Sequence, residues 1–279
     1  MTEPLFTLAV ATGSILAGVL GALVGLGGGI IVTPMLVLGF GIDIRYAMGA
    51  ALVAVIATSS GAGAAYLRDG MSNMRIGLFL SIATTTGAVC GAGLATVLDP
   101  SALSVIFGAA LLVTVGLSLR KHDGADAGAP RSDPLAVRLR LPGAMPMPSG
   151  PRAYAVVGVL PGFLVMAVAG VLSGLLGIGS GAFKVVAMDR IMRIPFKVTT
   201  ATSNFMIGVT AAASVGVYLK QGFFDPVLVA PVALGVLGGA FRGARLLAVV
   251  PAKSLRAVFL VVVSLIAVQM MLRGAGVRI

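Results

Sequence analysis

Apolar runs of about twenty residues follow one another along the chain, separated by short breaks that carry charge, proline or glycine. A helix of that length matches the ~30 Å hydrocarbon core of a bilayer. The pattern predicts membrane segments over 5–40, 46–67, 76–98 and 102–119, and a second set over 154–188, 198–219, 226–249 and 254–272. The first segment of each set is too long for one crossing, and glycines interrupt both: Gly25, Gly27, Gly28 and Gly29 in one, Gly177, Gly179 and Gly181 in the other. Between the sets, KHDGADAGAPRSDPLAVRLRLPGAMPMPSGPR is rich in Pro, Gly and charge, and reads as a water-exposed connection. The expected organisation is a first membrane repeat over 1–120, a linker over 121–152 and a second repeat over 153–279.

The two sets match each other at a constant offset of 152 residues, without a gap, from Gly18 to Leu94. GVLGALVGLGGG pairs with GVLSGLLGIGSG, YLRDG (66–70) with YLKQG (218–222), and GAVCGAGL (87–94) with GAFRGARL (239–246). Three separated matches in one register point to a duplication.

Composition agrees with a membrane protein. Of 279 residues, 58% are hydrophobic and only 10% charged, against roughly 25% charged in soluble domains. The formal charge of +11 does not call for nucleic acid, because the Lys and Arg residues sit between apolar spans, where the positive-inside rule places them. One Cys (Cys90) and one His (His122) exclude a disulfide framework and a Cys/His metal site, and no cofactor is expected. The N-terminus lacks a basic leader and reads as the start of the first membrane segment.

Charge also bears on how the halves are oriented. Four simple crossings per half would make them parallel and place the basic loops 189–197 and 249–256 outside. If each interrupted segment enters and returns as a hairpin, both loops move inside with the basic linker, leaving Arg45, Lys220, Arg273 and Arg278 outside. The expected fold is therefore an all-α integral membrane protein of two inverted repeats of about four membrane helices each, with interrupted, hairpin-like first segments. It would lie in the inner (plasma) membrane with a cytoplasmic linker.

Glycine lets backbones turn sharply, and broken helices at mid-membrane are tolerated where the freed N–H and C=O groups are buried in protein or line a cavity. Transporters with inverted repeats place sites at such paired breaks, with half-helix N-termini aimed at anions. The spaced small residues Ala83/Gly87/Gly91 and Gly235/Gly239/Gly243 read instead as close helix packing.

The paired segments GLGGGIIVTPML and GIGSGAFKV, the stretches YAMGAALVAV and VTTATSNFMI after them, and the GAVCGAGL and GAFRGARL segments resemble the sulfite exporter TauE/SafE family of membrane permeases. The resemblance spans nearly the whole chain apart from the linker. It implies a carrier for sulfur-containing anions such as sulfite, sulfoacetate or related sulfonates. The family's Thr-Ser pair is present as Thr202-Ser203, whereas the first half has Ala50-Ala51 there.

Several side chains could serve such an anion. Lys184 lies inside an apolar segment, where a cation costs about 2.5–3.5 kcal/mol; it either faces a site or snorkels to the surface beside Asp189. Arg242 and Arg245 share a helix face; Arg245 snorkels, while Arg242 lies deeper and either offers its guanidinium fork to sulfonate or sulfite oxygens or staples two helices through backbone carbonyls. Thr199, Thr200, Thr202, Ser203 and Asn204 crowd one helix start. Thr199 and Thr200 read as caps and the other three as anion donors, with Thr58, Ser59 and Ser60 as a partial analogue in the first half. The expected site is Gly27, Gly28, Gly29, Gly179, Ser180, Gly181, Lys184, Thr202, Ser203, Asn204 and Arg242, with nothing catalytic and no metal. No acidic residue stands inside a span, so uniport, or coupling through the substrate's own protonation, is expected.

The reading is a membrane transporter, by alternating access, of small sulfur-containing anions. An anion channel or an uptake permease for another oxyanion is the alternative. Its partners would be the anion, the lipid bilayer and a second copy of the chain in a homodimer, without nucleic acid. An intramembrane enzyme would need a convergent nucleophile, base or metal cluster that the sequence does not offer.

Overall fold

The computed structural model describes residues 3–24, 28–68, 70–119, 132–146, 150–179, 181–247 and 252–276. The first half runs through α1 (Glu3–Val24), α2 (Gly29–Pro34) with a π-helical turn at Met35–Gly39, α3 (Ile44–Arg68), α4 (Met74–Val97) and α5 (Pro100–Leu119). A connecting unit carries α6 (Pro134–Arg138), β1 (Gly143–Met145) and β2 (Arg152–Tyr154). The second half repeats the plan with α7 (Val159–Leu176), α8 (Gly181–Val186) with a π-helical turn at Ala187–Ile191, α9 (Phe196–Lys220), α10 (Pro226–Leu247) and α11 (Ala252–Gly274). Among the described residues α1, α4, α5, α7 and α9 are long and apolar enough to cross a bilayer, while α3, α10 and α11 contain shorter apolar stretches. The chain is a multi-pass, mostly helical membrane protein, with one short β-hairpin in the connecting unit where the sequence predicts an all-α protein.

Local chemistry sets the helix starts. Asp43 and Asp225 carboxylates accept the N–H groups of Arg45 (2.8 Å) and Val227 (2.9 Å), and Asn73 Oδ1 accepts that of Ile76 (3.1 Å). Pro100 and Pro226 occupy first helical positions, where a missing N–H costs nothing.

At the offset of 152, α2 corresponds to α8, the two π-helical turns to each other, and α3 to α9, residue for residue. The halves interlock. α1 packs on α10 and its counterpart α7 packs on α4; α3 lies against α9, and α5 against α11. Glycines make the first two crossings close. A Cβ at Gly87, Gly91, Gly170 or Gly174 would fall 2.2, 2.0, 2.3 or 1.9 Å from a carbonyl oxygen across the α4/α7 contact. Gly18, Gly235 and Gly239 do the same between α1 and α10, at 2.3, 2.6 and 2.1 Å. Small residues thus bring backbones together where lipid supplies no hydrophobic drive, as expected for Gly87/Gly91 and Gly235/Gly239. The outward faces present large apolar side chains such as Leu16, Ile82, Leu164 and Leu234.

Both interrupted segments turn back along their first helix. Met35 packs against Gly13 and Phe40 stacks edge-on against Phe6 (5.5 Å), so α2 and its π-helical turn return toward the start of α1. In the second half the Val157 N–H donates to Met192 O (3.2 Å), beside the start of α7.

The described part of the linker forms a small folded unit with the residues that follow it: Ala136, Leu141 and Val156 are buried, while many of its other side chains are exposed. The β1/β2 hairpin docks on the turn before α4: Asn73 Nδ2 donates to Tyr154 Oη (2.7 Å) and Leu141 O (2.9 Å). Burial raises the Tyr154 pKa, partly offset by the Asn73 bond, so the hydroxyl stays neutral.

Candidate functional site

The two glycine breaks meet between α3 and α9. α7 is closed by Gly177 in the left-handed conformation (φ +66°), and Gly179 (φ +72°) continues the turn into α8. A Cβ at Gly177 would lie 2.9 Å from Met48 O of α3, and one at Gly179 would lie 2.9 Å from the Ile207 side chain of α9. Gly29, which opens α2, would place a Cβ 3.0 Å from Gly177 O and 3.2 Å from Ala51 O. Beside them a Cβ at Gly208 would lie 2.6 Å from Ser59 Oγ, a side-chain end that would have to turn aside. Gly28 precedes α2, and its carbonyl accepts the N–H groups of Ile31 and Val32, each at 3.1 Å. Gly181 is buried at the start of α8. Gly27 and Ser180, also expected in the site, lie outside the described residues.

Lys184 does not snorkel. It is 0% exposed, and its Nζ donates to Thr210 Oγ1 of α9 at 2.9 Å. Thr210 Oγ1 is in turn 2.7 Å from Met206 O and 3.2 Å from Thr84 Oγ1 of α4. Thr210 and Thr84 stand near the middle of their helices, about 15 Å or more along the axis from either end at ~1.5 Å per residue. The lysine head is therefore held at mid-depth by one neutral hydroxyl, Thr210, which itself contacts a second, Thr84, on another helix.

The polar cluster at the start of α9 divides. Thr202 Oγ1 accepts the Asn73 N–H (3.0 Å), which fastens the turn before α4. Asn204 Nδ2 donates to Thr200 O of its own helix (3.0 Å). Ser203 Oγ is buried with no hydrogen-bond partner among the described residues, so it is the one of the three with an uncommitted hydroxyl. Thr199 and Thr200 do not cap: Pro195 precedes α9 without a side-chain cap, and Thr199 Oγ1 donates to Ile194 O (3.2 Å). Arg242 is exposed on α10, its Nη1 alongside Gly238 of the same helix, and the structure does not bring it to Lys184. Its position less than two turns before Leu247 suits a side chain that reaches the surface.

Thr84 and Thr210 were not singled out from the sequence. The repeat carried a signal for one of them, because the offset pairs Thr210 with Thr58, not Thr58 with the Thr202–Asn204 cluster. Thr58 Oγ1 donates within its own helix, to Ala54 O (3.1 Å) and Val55 O (3.0 Å). The positions equivalent to Lys184 and Thr84 are Val32 and Val236. The duplicated scaffold thus carries an intramembrane cation with hydroxyl partners on one side of its symmetry only.

Residues 10–270 match the family model described as Sulfite exporter TauE/SafE. The chain belongs to the TauE/SafE family. It is similar to the Probable membrane transporter protein YunE of Bacillus subtilis (strain 168), at 27% identity over 288 residues, 93% of this chain and 95% of that protein. It is also similar to the Probable membrane transporter protein YdhB of the same organism, at 27% identity over 252 residues, 88% of this chain and 92% of that protein. No solved structure matches. The resemblance drawn from the paired glycine segments holds, and a TauE/SafE protein is a membrane transporter, not an enzyme.

Proposed function

We propose that this TauE/SafE protein exports small sulfur-containing anions, such as sulfite, sulfoacetate or other sulfonates, by alternating access at a central site where its two glycine breaks meet. The observation that carries the reading is Lys184: a cation buried at mid-depth, beside two apposed breaks in the helices, with no symmetric counterpart. A buried intramembrane charge is costly and is retained where it meets an ion or substrate. An ammonium has three N–H donors, and Thr210 takes one, which leaves directions for anion oxygens. Ser203 adds an uncommitted hydroxyl one helix segment away. Thr202, Asn204 and the glycine backbone shape this region, and Arg242 stands outside it.

The test is flux into proteoliposomes for sulfite, sulfoacetate, taurine, thiosulfate and sulfate. Saturable transport of sulfite or a sulfonate is expected, with Arg242→Ala retaining most of it. No flux for any of the five would overturn the reading, and non-saturating conduction would make the protein a channel.

The halves are proposed to be inverted across the membrane. Because each first segment returns to its own starting end, each half makes an odd number of full crossings. Arg75, Arg138, Arg140, Arg190, Arg193 and Lys197 then share one end, which the positive-inside rule makes cytoplasmic in the plasma membrane. The linker lies at that same end. Arg75→Cys and Val227→Cys, equivalent under the repeat, should react with an impermeant maleimide from opposite faces in a Cys90→Ser background. Labelling from one face would make the repeats parallel.

A further inference from the structure

We propose that Lys184 takes up a proton together with the anion and gives it up when the anion leaves, so that transport is proton-coupled through this side chain. The proposal rests on the central anion site argued above and adds its coupling ion.

The protein groups around Lys184 suit a neutral amine. A neutral lysine donates one N–H to Thr210 Oγ1, Thr210 donates its own to Met206 O at 2.7 Å, and no charge is left uncompensated. An ammonium in the same place has two further N–H groups and a full charge, facing hydroxyls that carry no compensating charge. Buried charge without a counter-charge is avoided by losing the proton. An anion entering the site supplies both the missing acceptors and the opposite charge. Each of the two ligands therefore favours the other, and by linkage the anion binds more tightly as pH falls.

The surroundings leave Lys184 as the group that titrates here. From α9 it meets Thr210, which in turn contacts Thr84 of α4, and α5 and α7, which also pack on α8, contain no charged residue. Asp189 and Arg190 belong to the π-helical turn that follows α8 and have contacts of their own. Lys197 and Lys220 stand near the ends of α9 and Arg75 at the start of α4, each about 13 Å or more along its helix from the hydroxyls. Tyr218, also on α9, donates to Gly174 O at 3.2 Å. The lack of intramembrane carboxylates points to uniport or to coupling through the substrate's own protonation; a lysine held by a neutral hydroxyl offers a third route.

The decisive probe is methanesulfonate, whose charge does not change over the working pH range, unlike that of sulfite. Purified wild-type protein should bind it with affinity falling up to about tenfold per pH unit as pH rises through the lysine's titration. Proteoliposomes holding a pH dye should show one proton moving with each anion. In Lys184→Met the proton movement should vanish, in Asp189→Asn it should persist, and in Lys184→Arg binding should lose its pH dependence because guanidinium keeps its proton. Saturable methanesulfonate flux without proton movement would overturn the proposal while leaving the anion transporter intact. Proton movement that survives Lys184→Met would do the same. The wild-type measurement decides the matter even if a variant fails to fold. If the protein binds neither methanesulfonate nor sulfite, the anion site itself falls, and this proposal with it.

Discussion

Replacing Gly174 by leucine should destabilise the protein more than a substitution on any lipid-facing helix surface. The Cβ of residue 174 would stand 1.9 Å from Ala88 O, a backbone atom that cannot swing aside as a side-chain end can. Gly170 meets Thr84 O in the same way, and Gly87 and Gly91 return the contact from α4, at 2.2 and 2.0 Å from carbonyls of α7. The two helices are thus seated backbone to backbone over two turns, and a leucine must push them apart by several ångströms. Overpacking costs about 1–3 kcal/mol and occasionally more; here the neighbouring glycine contacts are lost as well. The thermal midpoint, followed by far-UV circular dichroism in detergent, should fall by about 10 °C if the loss is near 3 kcal/mol. Gly116→Ala, on α5 with nothing within 4 Å, should leave the midpoint unchanged or slightly raised, since alanine is the better helix former by about 1 kcal/mol. A Gly174→Leu midpoint equal to wild type would mean that α4 and α7 do not cross at these glycines.

Most of the scaffold was legible because its signals are local. Runs of apolar residues gave the spans to within a few positions, and Gly177 and Gly179 ended α7 where their positive φ is needed. The offset of 152 foretold that α2 and α8 would be equivalent, π-helical turns included in register though not in kind. The GVLSG stretch was read as part of the repeat, while its Gly170 and Gly174 turn out to be contact points with the other half. Direction around a helix axis was much less legible. Inside a bilayer both faces of a span are apolar, so nothing in the sequence around Arg242 tells an outward from an inward side chain. Lys184 was identifiable as an anomaly, but its partner Thr210 comes from α9, and the Thr84 hydroxyl beside Thr210 from α4, far away in sequence. The fold of the linker was illegible for another reason: proline, glycine and charge dominate it, yet a few apolar residues suffice to fold a small unit when a membrane domain supplies the surface beneath.

Gly29→Val should damage transport far more than stability. Gly29 opens α2 at the point where the two breaks touch, and a Cβ there would lie 3.0 Å from Gly177 O, 3.2 Å from Ala51 O and 2.5 Å from a Val55 methyl. The Val55 methyl can move, whereas the two carbonyls belong to α3 and to the turn that ends α7. A valine therefore wedges the first break away from the second and shifts the backbone at the centre of the proposed transport site. Only the short α2 segment needs to yield, so the thermal midpoint should fall less than for Gly174→Leu. Initial flux of sulfite or a sulfonate should drop by about tenfold or more, the equivalent of about 1.4 kcal/mol on the limiting barrier. Gly39→Ala, on the same returning segment with nothing within 4 Å, is the matched control and should transport as wild type does. If Gly29→Val carries anions at the wild-type rate, the meeting of the breaks is only a packing feature. The substrate path would then have to be sought away from the α3/α9 contact, and Lys184 would need another explanation for its burial.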